Sequence, residues 1–119
     1  MTPQDFVNQV RASIIDENVA TYRTLLETTP IKSASDPYWR SLIGLNERLS
    51  EGERKILYDV MRQVAVDAVS SLFAVIDGSV RMDGQTEDVE LVGAKSRQRL
   101  NGSLQDLLLQ LEERDSAKR

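Results

Sequence analysis

Apolar residues recur at spacings of three and four along most of this chain, the periodicity of helices with one buried face. Thr2-Pro3 places an N-cap before a proline at the first helical position, with Asp5 set for a capping-box contact. Phe6, Val7, Val10, Ile14, Tyr22, Leu25 and Leu26 then predict a first helix over about residues 3–28, stopped by Thr29-Pro30. Asp36-Pro37 repeats the start signal, and Tyr38, Trp39, Leu42, Ile43 and Leu45 predict a second helix over about 37–48. Ser50 and Glu53 form a capping box, after which no proline occurs and Gly78 is the first glycine beyond Gly52. The third helix is therefore long, about 51–77. Its apolar residues between 64 and 76 point in nearly every direction, so this half is expected to be buried all round as a central strut.

Beyond Gly78 the helical period is lost, and four of the six glycines fall within 78–102. Alternation from Asp88 to Val92, with Gly93-Ala94 suited to a two-residue type II′ turn, predicts a small β-hairpin over about 88–100. That turn sets 92 opposite 95, Glu90 opposite Arg97 and Asp88 opposite Arg99. The alternative pairs Val80-Arg81-Met82 with 88–92. Asn101-Gly102 reads as a turn and Ser103 as the cap of a fourth helix, about 104–114, built on Leu104, Leu107, Leu108 and Leu111. Ser116 to Arg119 is expected to fray. The fold class is thus mainly α: a single four-helix domain over residues 1–119, with a long central helix and a small hairpin.

Composition narrows the chemistry. The 119 residues include no histidine and no cysteine, which removes the usual nucleophile–base pairs, thiol chemistry, disulfides and common zinc sites. The net charge of −4 is split evenly: residues 1–60 carry 7 basic and 9 acidic groups, residues 61–119 carry 8 and 10. An acidic chain without a long basic stripe is a poor nucleic-acid binder. No apolar run approaches the roughly 18 residues of a membrane span, and no signal peptide is expected, so the expected location is the cytoplasm.

Three groups of residues are candidates for function. Asp67 falls where the third helix becomes fully apolar, which suggests a buried polar cluster of Arg62, Gln63, Asp67 and Ser70. Such an acid is more often satisfied structurally than used as a pocket group. The acids Asp83, Glu87, Asp88 and Glu90, with Tyr38, are the candidate partner-binding residues. Asp77, Asp83, Glu87 and Asp88 do not follow the EF-hand spacing, and Arg81 among them would repel a cation, so neither a metal nor another cofactor is expected. Trp39 is expected to anchor the core. No phosphate-cradling loop, nucleophile elbow or singled-out carboxylate pair occurs, and no catalytic residue is expected.

The stretches Asp36-Pro37-Tyr38-Trp39, 66–78 (VDAVSSLFAVIDG) and Leu100-Asn101-Gly102-Ser103-Leu104-Gln105-Asp106-Leu107 together resemble a group of small acidic bacterial proteins of unassigned function, some of them similar to immunity proteins encoded beside polymorphic or contact-delivered toxins. The resemblance spans about residues 36–108, and its motifs are caps, a core helix and a turn. It implies a non-enzymatic binder that occludes a toxin domain. Two other expectations stand beside it. One is a homodimer in which the first helix, or the first half of the third, pairs with itself. The other is a small-molecule-binding helical domain using Arg62 and Asp67.

Overall fold

The computed structural model describes residues 1–118. Its helices are α1 (Pro3–Val10), α2 (Glu17–Thr28), α3 (Pro37–Arg48), α4 (Glu51–Asp77) and α5 (Leu104–Ser116). The six residues Arg11–Asp16 form a π-helical turn that joins α1 to α2 without a break in helical backbone, so the pair makes one rod and the described residues contain four. The mainly helical class follows the hydrophobic period. So do the starts: the Thr2–Asp5 and Ser50–Glu53 capping boxes are both formed, and the Asp36 carboxylate accepts from the Tyr38 and Trp39 amides. No helix among the described residues is long and apolar enough to cross a membrane.

The π turn resets which residues of the first rod face inward. It adds residues to one turn, so positions beyond it lag behind the regular α-helical phase. Val7, Ile15 and Leu26 are buried, whereas Ile14, Tyr22 and Leu25 from the expected stripe are exposed. The buried residues form two cores strung along α4. The larger contains Val7, Ile15, Val66, Phe73, Leu104 and Leu108, with Phe6 against Phe73 at 6.2 Å between ring centres. The smaller contains Leu26, Ile43 and Tyr58. Trp39 belongs to neither. It is half-buried between Tyr22 (5.6 Å) and Tyr38 (5.7 Å), on the outside of the smaller core, because α3 turns Leu42 and Ile43 inward instead.

Three further expectations are corrected. Residues 64–76 are not buried all round: the first rod and α5 cover one side of α4, and among the described residues the ridge Val64, Ala68 and Leu72 on the other side stays exposed. No strand forms between 88 and 100, and the hairpin is replaced by a single isolated bridge, Val92 to Arg99. Gly93 donates to the Gln98 carbonyl at 2.9 Å and Leu100 to the Leu91 carbonyl at 2.8 Å. The chain therefore turns through residues 94–97, with Arg97 left-handed at φ 60°, and the two-residue turn is not made. In the expected register Leu91 would have faced Ser96. The observed one sets half-buried Leu91 opposite buried Leu100, so burial overrides the local turn preference. Ser103 makes no capping bond, and the Asp77 carboxylate takes its place, accepting from Gly102 (2.6 Å), Leu104 (3.1 Å) and Gln105 (2.9 Å). Of the terminal stretch expected to fray, Ser116 still belongs to α5, and Arg119 lies outside the described residues.

α4 stops at Gly78, which is left-handed at φ 82°, with Ser79 donating back to the Ala74 carbonyl at 2.9 Å. A Cβ at position 78 would meet nothing within 4 Å, so only backbone strain opposes one. Gly78→Ala should therefore cost about 1 kcal/mol in chemical denaturation, the left-handed penalty of a side-chain-bearing residue. A loss near zero would mean that the cap is not held at this φ.

Candidate protein-binding surfaces

The expected polar cluster on α4 does not assemble, because successive residues of a helix are about 100° apart. Arg62 points inward. Gln63 and Asp67 share the opposite, exposed face, where Gln63 Nε2 donates to Asp67 at 2.9 Å. Ser70 is buried and accepts from Gln105 Nε2 on α5 at 3.1 Å. Asp67 is thus solvated, and no buried acid awaits a ligand there.

Arg62 instead joins three rods. It donates through Nη1 to Asp16 of the π turn (2.6 Å), and through Nη2 and Nε to Glu112 of α5 (2.8 and 3.2 Å). Arg11, also in the π turn, donates to Glu112 (2.6 Å) and Asp115 (2.7 Å). Burial pushes the Glu112 carboxyl up, but bonds from Arg62 and Arg11 outweigh it and hold it below the ordinary glutamate value. Burial likewise pushes both guanidiniums down, and their carboxylate partners more than reverse this. The bonds from Arg11 and then Arg114 hold Asp115 low. Sequence reading missed Arg11 and Glu112. Arg11 lies four residues after Val7, which packs against Leu104 and Leu108, so the regular phase of α1 already turns it towards α5. A groove of about 560 Å³ beside Arg11, lined by Gln4, Asn8, Asp16, Gln110 and Arg114, is open, and it borders charges already paired with one another. The arrangement is a structural joint.

The loop from 78 to 90 is differently organised. Met82 to Gln85 is a tight turn closed by Gln85 N–H on the Met82 carbonyl (3.0 Å), with Gly84 at φ 81°. The Gln85 side chain accepts from the Met82 amide and donates to the Glu87 carbonyl, each at 2.9 Å. Arg81 donates to the Gln85 carbonyl (3.3 Å) and to Asp88 (2.7 Å). This network holds Val80, Met82 and Val89 in water, the first two each 54% exposed.

All four candidate acids here are exposed, but they do not act alike. Asp88 is paired with Arg81, and Glu90 lies 3.8 Å from Arg99. These pairs replace the expected Asp88–Arg99 and Glu90–Arg97 contacts. Asp83 and Glu87 carry no ion pair among the described residues. Across residues 81–99 the acids Asp83, Glu87, Asp88 and Glu90 are matched by Arg81, Lys95, Arg97 and Arg99, so the segment as a whole is neutral. Tyr38, the remaining candidate, is 64% exposed on α3, and its only ring contact among the described residues is Trp39.

The third surface is the uncovered side of α4. Ile56, Val60, Val64, Ala68 and Leu72, four residues apart, form one continuous ridge, and all five are exposed. Asp59, Gln63, Asp67 and Ser71 form the polar ridge beside it. Among the described residues no three Asp or Glu side chains gather in a way that could hold a metal ion. Comparison with protein-family models, with curated proteins and with solved structures finds no match to this chain.

Proposed function

We propose that this chain is a non-enzymatic, cytoplasmic protein-binding module of the immunity type, which acts by covering a toxin domain. One observation carries the reading: the 78–90 loop is braced by Arg81, Gln85 and Asp88 while it presents Val80, Met82 and Val89 with Asp83 and Glu87 to solvent. Apolar contacts on a pre-ordered loop supply affinity without the entropy cost of ordering it on binding. The two acids supply attraction to a basic partner and hasten encounter. Lys95, Arg97 and Arg99, with Arg81, balance the loop's acids across residues 81–99, so recognition rests on these two carboxylates and the apolar side chains, not on a broad acidic field.

The test takes as partner the toxin domain of any secreted effector encoded beside this gene. Titration calorimetry should find stoichiometric binding with loss of toxin activity. Asp83→Lys combined with Glu87→Lys should weaken binding about tenfold at low salt and flatten its salt dependence. Unchanged affinity in that variant removes the loop from the reading, and absence of binding by the native chain overturns the immunity assignment.

A further inference from the structure

We infer that the uncovered ridge of α4 is the interface of a homodimer, with Val64 at the crossing point of two α4 helices. This goes beyond the immunity reading and does not depend on it, since the 78–90 loop follows the end of α4 and contributes no residue to the ridge. Two observations point to a second copy of the chain.

The first is the amount of surface left over. A monomer of 13.4 kDa is expected to expose about 6,500 Å². This chain exposes 8176 Å², an excess of roughly 1,700 Å² over that scaling. A standard interface removes about 800 Å² from each partner, and permanent dimers remove more. The excess, spread over an elongated chain, is more than one partner loses in a standard interface, so a dimer contact can be formed without uncovering either core. The radius of gyration agrees: it is 17.8 Å, against about 13.5 Å for a compact domain of this length.

The second is the form of the ridge. Ile56 (63% exposed), Val60 (53%), Val64 (62%), Ala68 and Leu72 (56%) run without interruption by charge. At 1.5 Å per residue they cover about 24 Å of helix. Ridges of residues four apart pack into the grooves of a like ridge at a crossing angle of about −50°. A two-fold axis makes one patch meet itself, so the ridge must be tolerable when reversed about its centre. Here it is: reversal about Val64 sets Ile56 towards Leu72 and Val60 towards Ala68. Asp59, Gln63 and Asp67 then lie at the edge, as the polar rim of an apolar contact.

The chain has no cysteine, so an introduced one reports a single contact. Sedimentation equilibrium of the native chain at about 100 µM should return twice 13.4 kDa. Val64→Asp should return the monomer mass with an unchanged helical circular-dichroism spectrum. Under mild oxidation Val64→Cys should form a disulfide-linked dimer at least about tenfold faster than Tyr38→Cys, which is equally exposed but lies off the ridge. A native monomer at that concentration overturns the inference, and so do equal cross-linking rates at the two positions. Dimers that persist in Val64→Asp overturn the assignment to this face. If Val64→Asp proves unfolded, the cysteine pair, each a small change at an exposed site, decides alone. None of these measurements involves a toxin, so the dimer and the immunity reading can fail separately.

Discussion

Replacing Asp77 with alanine is expected to destabilise the protein by about 2–4 kcal/mol, although the residue is not part of the core. The last residue of α4 caps the first turn of α5. Its carboxylate accepts from three amides, those of Gly102, Leu104 and Gln105. An ordinary N-cap contributes about 0.5–2 kcal/mol, and hydrogen bonds to a charged acceptor contribute more than neutral ones. The carboxylate also lies at the positive end of the α5 dipole. The bonds have a tertiary effect as well. They fix α5 against α4, and with it Leu104 and Leu108, both fully buried. Asn101 reinforces the joint by donating to the Ile76 carbonyl at 2.7 Å and accepting from the Leu91 amide at 3.1 Å. Asp77→Asn keeps an acceptor and loses the charge, so its cost should fall between native and alanine. Ser103→Ala should change stability by less than about 0.5 kcal/mol, because Ser103 makes no capping bond. Urea denaturation of the three variants checks the order. A larger loss for Ser103→Ala than for Asp77→Ala would return the cap to Ser103.

The contrast between Ser103 and Asp77 shows what could be read from the chain alone. The Thr2–Asp5 and Ser50–Glu53 boxes and the Asp36 cap were legible because donor and acceptor are at most three residues apart. Their positions fix the helix starts, and Gly78 fixes the end of α4. Asp77 is 25 to 28 residues from the amides it caps, so its role depends on where α5 lies. The same holds for the side chains of α4. Hydrophobic period predicts the helix, but the apolar residues from Val64 onward are more than two neighbouring rods can cover, so burial does not reach the whole circumference. Of the candidate site, exposure of Asp83, Glu87 and Tyr38 follows from polar loop and helix-end context. The neutralising role of Arg81 does not, since the 82–85 turn is what brings it back to Asp88.

Glu112→Gln should cost roughly 2–3 kcal/mol at neutral pH, somewhat less than a fully buried ion pair broken on one side. Glu112 is the shared acceptor of Arg11 and Arg62, with only 16% of its side chain exposed. Glutamine cannot accept both guanidiniums and contributes no charge. Asp115 still holds Arg11 and Asp16 still holds Arg62, which limits the loss. The pH dependence distinguishes this from lost packing. Because the arginines hold the Glu112 carboxyl below its ordinary value, the unfolded chain takes up its proton first as pH falls. The stabilisation is therefore complete above the ordinary glutamate value of about 4.3, and it is lost as pH falls through the depressed folded value. Urea unfolding at pH 7 should separate the native chain from Glu112→Gln by the full amount, and the gap should narrow as pH falls below the ordinary glutamate value of about 4.3. Glu113→Gln, one position along and exposed, should shift stability by less than about 0.5 kcal/mol. Parallel pH profiles for the native chain and Glu112→Gln would mean that the joint between the π turn, α4 and α5 is held by packing, with its ion pairs contributing nothing that titrates.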